Sequence, residues 1–454
     1  MEKWGAMVYL LLIGVLLFVG KALKTRVPFL NRIVLPSALL GGAVGLAFFH
    51  LAFPAGYPID VESMTSIVYH MLALGFITLT LKEHKPTKNK KKIWSTGMII
   101  TSTYALQGFI GILMVLLFFA DKSVAAGMLL PLGFGQGPGL ATSFAANWSE
   151  MLTGDLASSV AIGASYSVVG FLFGGSIGVL LINVISRKRG IERVKRYEES
   201  SLAKATIEVD TVKEISILDG LTVQVVIISI IYGMVWLTLF LLNKVLLPLG
   251  GIGETIFGLL VGFNFIIGIF YALLFKIILR VTSKKGINVS FAKNDYILSN
   301  LSSLFFNFMI TGAVLTITFG FVAEYGLLLL SISMVGGLFS LGYVYYVTKK
   351  VYTAHNGEYF VGLFGMLTGV ASTGIALLKG IDNNLETPVA EEMAMGSATA
   401  ITMALPLFAL LMLPSLAYGS DNEALFNFIA LFGCLLYCLT MFVILLVRGK
   451  RRVN

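Results

Sequence analysis

The sequence predicts an all-α membrane protein. It should have about eleven transmembrane helices, forming two inverted five-helix repeats, each with a re-entrant hairpin, plus one extra C-terminal span. Three observations carry this expectation. Of the 454 residues 57% are hydrophobic and only 13% charged, with a mean hydropathy of +0.88, whereas soluble domains hold about 25% charged residues. Apolar stretches of the roughly 20 residues needed to cross a bilayer recur along the chain. Two glycine-rich stretches 230 residues apart are copies of one another. Gly127, Phe134, Gly135, Gly139 and Ala141 return as Gly357, Phe364, Gly365, Gly369 and Ala371, and Thr142-Ser143 returns as Ser372-Thr373.

The first repeat, 1–186, holds spans at 4–23, 33–53, 65–81, 93–120 and 156–185. The first span ends in Lys21, Lys24 and Arg26 and lacks a small-residue cleavage site, so it reads as a retained helix and not as a signal peptide. The first hairpin, 125–147, lies between spans four and five. A charged cytoplasmic linker, 187–215, separates the halves. The second repeat, 216–419, holds spans at 216–242, 252–279, 295–319, 324–348 and 391–417, with the second hairpin, 357–381, between spans nine and ten. Residues 420–454 carry the eleventh span, 424–447, and a basic tail. Weaker traces of the repeat pair Lys24, Pro28 and Gly42 with Lys244, Pro248 and Gly262, and His70 and Gly75 with Asn307 and Gly312. Cys434 and Cys438, one helical turn apart in an apolar segment, read as packing residues.

The basic residues orient the chain. With the N-terminus outside and both hairpins returning to the side they enter from, 30 of the 33 Lys and Arg fall inside, leaving Lys3, Lys122 and Lys244 outside. That split obeys the positive-inside rule. If the first hairpin crossed completely, the eight charges of Arg187 to Lys213 and the five of Lys276 to Lys293 would lie outside. The chain is therefore expected to be multi-pass in the cytoplasmic membrane, with its C-terminus in the cytoplasm. The net charge of +9 is a consequence of topology, and no nucleic-acid partner is expected.

A helix broken inside a bilayer exposes N–H groups at one half-helix start and carbonyls at the other's end. Such backbone is tolerated only where it lines a cavity or is buried in protein, and paired broken segments in two halves point to a transporter's substrate site. The candidate substrate-binding residues are Gly137, Pro138, Gly139 and Thr142 at the first tip, Thr368 and Gly369 at the second, and Asn307 on span eight. Ser143, Ser372 and Thr373 are candidate Na⁺ ligands, since they place hydroxyls beside exposed carbonyls. The competing reading of each segment is a kinked helix with packing glycines. All Lys and Arg are assigned to loops, and the carboxylates to span ends, so that no buried carboxylate offers a proton seat. His70 is the one relay candidate, near an outer end. Oxygen ligands without titratable groups favour Na⁺ as coupling ion over H⁺. No P-loop or His-Glu-x-x-His pattern occurs, and no enzyme activity is expected.

The run Pro131-Leu-Gly-Phe-Gly-Gln-Gly-Pro-Gly-Leu-Ala-Thr-Ser, with Val160-Ala-Ile-Gly-Ala, Gly170-Phe-Leu-Phe-Gly-Gly-Ser-Ile-Gly and Gly362-Leu-Phe-Gly-Met-Leu-Thr-Gly-Val-Ala-Ser-Thr-Gly, resembles the bacterial sodium/glutamate symporter family. The resemblance covers spans two to ten. It implies the inverted five-plus-five fold, Na⁺-coupled uptake of an acidic amino acid, and a homodimer. The family's tips correspond to Gly137–Gly139 and Thr368–Gly369. This chain has Gln136 and Pro138 where a His-Gly-Thr-Gly type of tip is expected, and it adds the eleventh span. The expected function is thus sodium-coupled symport of a small organic anion, glutamate first. Hairpins and spans four, five, nine and ten would form a mobile unit, with the first two spans of each half as scaffold. Proton-coupled transport of another carboxylate is the alternative, and an ion channel the reading from another class.

Overall fold

The computed structural model describes residues 5–27, 30, 35–53, 58–82, 90–189, 212–262, 264–287, 289, 294–317, 319–382 and 385–450. These residues are helical, with no strand among them. Ten of their helices are long and apolar enough to cross a bilayer. A helix satisfies its own backbone polar groups, which is what a hydrocarbon solvent demands. The chain is a multi-pass membrane protein.

Two elements differ from expectation. Span two is the 16-residue helix α2 (Ser37–Ala52), following α1 (Gly5–Arg26), and it is shorter than the roughly 20 residues of a straight crossing. The linker between halves is also narrower than it reads, because helices extend into it from both sides, to Arg189 and from Val212. Residues 190–211 lie outside the described residues.

The described chain divides into two compact units. The first comprises Met1–Thr65, Pro86–Lys195 and Ile310–Asn454. Its centre is a helix following α3 (Val61–Leu81), namely α4 (Lys90–Phe118). This helix is the most buried of the ten, with 72% of its apolar window covered. Next come the short helices α5 (Val124–Met128), α6 (Leu130–Gly133), α7 (Pro138–Asn147) and α8 (Ser149–Leu152), then α9 (Leu156–Arg189). Small residues let α4 serve as a hub: a methyl built on Gly111 would lie 2.0 Å from Gly127 O on α5, and one on Gly97 would lie 2.2 Å from Thr399 Oγ1. In a bilayer, where apolar burial gives no drive between helices, such close backbone approach is the main source of association.

The second unit comprises Ser66–Lys85 and Arg196–Met309. It holds most of α3, with α10 (Val212–Leu246), α11 (Gly251–Gly262), α12 (Asn264–Lys284) and the greater part of α13 (Asp295–Val314). Span seven falls on α11 and α12, which flank residue 263, itself outside the described residues. Ile77 and Leu81, Ile227, Ile228 and Ile231, Ala272 and Leu298 form the core of this unit. Lys276 corrects the assignment of every cation to a loop, because it lies within α12 and donates to Thr80 O at 2.8 Å and Lys82 O at 2.6 Å. An ammonium there meets the negative end of the α3 dipole and its unpaired carbonyls.

Contact clustering groups the helices without regard to the two halves. Helices α1 and α2 cluster with the hairpins, not with α10 and α12. The reason is local. Gly20 and Gly41 bring the backbones of α1 and α2 together, Gly42 of α2 sits on Val314, and Thr311 Oγ1 donates to Ala38 O at 2.9 Å.

Candidate functional site

The rest of the first unit is α14 (Phe319–Val351), α15 (Asn356–Thr368), α16 (Ala371–Leu378), α17 (Val389–Ala417) and α18 (Glu423–Lys450). In both halves a long helix leads into a broken one and then into another long helix. The first break lies at 134–137, between α6 and α7, and the second at Gly369 and Val370, between α15 and α16. The arms of each broken segment pack on one another, as hairpins do. At the first tip Gly135 has φ +79 and Gly137 φ +91, backbone that side-chain-bearing residues rarely adopt.

The two tips meet. A methyl built on Gly135 would come within 3.1 Å of Leu367 Cα and 3.2 Å of Met366 O, and one on Gly137 within 2.8 Å of Val370 Cγ1. Helix α9 lies against both hairpins through glycines on one face. Gly163 sits under Ala141 O, Gly170 under Thr368 O and Gly174 under Thr368 Oγ1, each with no room for a methyl. From the other helix in contact, Tyr104 of α4 donates to Gly135 O at 3.4 Å and Gln107 Nε2 donates to Leu367 O at 3.0 Å. Gln107 also donates to Ser340 Oγ of α14 at 3.0 Å, and its own oxygen is buried without a partner.

Within the first hairpin the base is capped and the tip is not, whereas in the second neither α15 nor α16 has a side-chain cap. The outer start of the first hairpin, α5, is capped by Ser123, whose Oγ accepts from Ala125 N at 3.2 Å. The inner starts have no side-chain cap, for α7 begins after Gly137 and α16 after Val370. A helix start buried without a cap leaves N–H groups in need of a partner. At the tips Gln136 and Val370 are half-buried and Ala371 is exposed, while Gly135, Gly137, Pro138, Gly139, Thr368 and Gly369 are buried. A separate cavity of ≈ 410 Å³ opens at the first hairpin's base, lined by Lys122, Glu150, Thr153, Gly154, Tyr325 and Tyr418 among others.

The candidate residues behave differently from one another. Gly137, Pro138 and Gly139 lie buried at the first tip, and Thr368 and Gly369 at the second. Thr142 is turned onto its own helix, donating to Pro138 O at 2.7 Å, and Thr368 to Phe364 O at 2.8 Å. The hydroxyls of Ser143 and Thr373 are buried with no hydrogen-bond partner. The side chain of Ser372 lies outside the described residues. Asn307 lies on α13 in the second unit, half-buried. His70 is exposed on α3, its Nδ1 2.6 Å from the Tyr232 hydroxyl.

Sequence reasoning missed three groups. Tyr104 and Gln107, three residues apart on α4, were visible only as polar residues in a span. The third is a correction: Glu392 of α17 is 1% exposed and Glu358 of α15 6%, so buried carboxylates are present. Glu392 reads as a span end because it lies within a few residues of a loop, and Glu358 lies at the start of the second hairpin. Tertiary packing buries them.

Comparison with family models, with curated proteins and with solved structures returned no match. The class that fold and composition define is an all-α multi-pass membrane protein. Its distinguishing feature is a pair of broken helices with touching tips.

Proposed function

We propose that this protein is a sodium-coupled symporter of a small organic anion, with glutamate the first substrate to test. The observation that carries the reading is the pair of uncapped half-helix starts, α7 and α16, whose tips touch. Aligned N–H groups at a helix start attract a carboxylate without any side-chain cation. Close glycine backbone lets such a ligand approach. The orphaned hydroxyls of Ser143 and Thr373, with carbonyls ending α15, make an oxygen set of the kind that coordinates Na⁺ beside broken helices. Ser372 is retained as a third candidate. Alternating access would move the hairpins relative to a fixed part of the protein, acting in the cytoplasmic membrane as a homodimer. The extra helix, α18, lies against α4 and α17 and supports the hub.

Uptake in proteoliposomes, with labelled amino and dicarboxylic acids and with or without a Na⁺ gradient, tests this. Accumulation that requires Na⁺ is expected, and conductance far above carrier turnover would instead indicate a channel. Ser143→Ala and Thr373→Ala should raise the half-saturating Na⁺ concentration about 5- to 150-fold, the size of one lost polar contact, before selectivity changes. If neither moves it and a pH gradient drives uptake, the second reading, proton coupling, takes its place; the burial of Glu392 is what favours that reading over a channel.

A further inference from the structure

The hydrogen bonds of Gln107 hold its amide in one orientation. Leu367 O is a carbonyl and can only accept, and Ser340 Oγ already donates its hydrogen to Gly336 O at 2.7 Å. Both neighbours therefore accept from Nε2, each at 3.0 Å, and the two hydrogens of the amide nitrogen are used. That leaves Oε1 as a bare acceptor. It belongs to a side chain with 0% exposure and has no hydrogen-bond partner.

The same bonds place this oxygen. Nε2 and Oε1 share one carbon, so Oε1 lies beside the C-terminal end of α15, where the chain leaves the helix for the extended residue Val370. The last backbone bond of that helix runs from Gly369 N to Gly365 O at 3.0 Å. The carbonyls of Met366, Leu367 and Thr368 come after it, with no further turn to donate to them, and they form the negative end of the helix dipole. Thr373 Oγ1, buried and unpartnered, lies 2.8 Å from a methyl built on Gly369. Neutral oxygens short of donors thus collect at one buried helix end. No charged residue occurs in 93–118 of α4, in α6, α7 or α16, or after Glu358 in α15. A carboxamide takes no proton near neutral pH, so Oε1 is completed by a cation or by a hydrogen-bond donor. A bare ion suits an oxygen without exposed surface better than an ammonium that brings a whole substrate with it. Na⁺ is an ion that neutral oxygens at a half-helix C-terminus coordinate.

We propose that Gln107 Oε1 is a Na⁺ ligand at the C-terminal end of α15. The assignment rests on the sodium coupling proposed above and adds to it a ligand from α4. Thermal stabilisation of the full chain in lipid nanodiscs by Na⁺, without substrate and with choline holding the ionic strength, reads the half-saturating Na⁺ concentration. Gln107→Lys keeps donors toward Leu367 O and Ser340 Oγ, offers no acceptor and carries its own charge. The half-saturating concentration should rise about tenfold or more in this variant. Gln107→Glu keeps an acceptor that binds Na⁺ more tightly when ionised than when protonated, so its half-saturation should depend on pH more steeply than the wild type's. A wild-type value in Gln107→Lys, or a wild-type pH dependence in Gln107→Glu, overturns the assignment, because a strut or a bound water alone gives that result. Should one variant fail to fold, the other decides. If Gln107→Lys keeps its Na⁺ affinity but loses a preference for glutamate over glutarate, which lacks the amino group, Oε1 serves the substrate's ammonium and the assignment is overturned. A wild type that Na⁺ does not stabilise overturns it together with sodium coupling. A wild type that shows the expected shifts but accumulates no labelled anion sinks the symport reading and leaves the ion site standing.

Discussion

Single residues at the two tips act through space they leave empty. Gly170→Ala would put a methyl 2.4 Å from Thr368 O, and backbone cannot retreat as a flexible side chain can. The second tip must shift, and uptake by this variant is expected to fall at least tenfold while expression and insertion are unchanged; wild-type uptake would mean α9 does not seat the tip. Gln107→Leu tests the opposite device, a polar strut. It keeps the bulk but strips Leu367 O and Ser340 Oγ of their donor, a loss of about 1–3 kcal/mol for buried groups. Thermal unfolding in detergent should register that loss, and a variant as stable as wild type would show that the strut is redundant. The hydrogen bond from Gln107 Nε2 to Leu367 O ties this residue to the second tip in a way that its place in an apolar span does not announce.

At the scale of elements, the ends of helices carry the electrostatics. Asp155 caps α9, its Oδ2 accepting from Ser158 N at 2.7 Å. That backbone hydrogen bond, ahead of the others to Ser158 and Ala157, holds its carboxyl below the usual carboxylate range. A folded value below the unfolded one means that the stabilisation is present above the ordinary carboxylate range and is lost as pH falls through the folded value. Asp155 is exposed, so a cap of this kind contributes at most about 1 kcal/mol after solvent screening. The expected result is a small acid-dependent fall in melting temperature that Asp155→Asn reduces; an identical acid profile in the variant would discount the cap. Lys122, one of the three cations assigned to the outside, is held to Glu324 at 3.0 Å with Asp121 at 3.9 Å. The hydrogen bond to Glu324 raises its ammonium above its ordinary value. Local neutralisation is a physical reason why a cation is tolerated on that side.

For the whole molecule, the basic loops and the helix order together define a threading that labelling can check. A cysteine at position 58 should react only from outside, and one placed in 82–92 only from the cytoplasm. Reversal of either would undo the orientation and, with it, the claim that both hairpins turn back. The two compact units cut across the two sequence halves, because α3 from the first half packs into the core formed by α10, α12 and α13. A sequence repeat describes ancestry of segments; contact clustering describes which surfaces match.

The sequence by itself determined the fold class and the position of both helix breaks; of its eleven expected spans, ten fall on helices long enough to cross a bilayer, and span two is the short α2. Each of these follows from local chemistry. A bilayer requires long apolar runs, and the glycine-rich pattern repeated in the two halves marks where the helices break. It also singled out Ser143 and Thr373, the two candidate ligands whose hydroxyls turn out to be buried and unpartnered. Only the tertiary structure decided that the tips touch, that Thr142 and Thr368 turn their hydroxyls back on their own helices, and that Gln107 reaches Leu367. It alone buried Glu392 between Tyr359 and Lys92, residues 33 positions and 300 positions away in the chain. Whether a polar group near a span end meets water or protein depends on which helices are neighbours. That pairing is settled by small-residue contacts such as Gly111 with Gly127, which hydropathy cannot read.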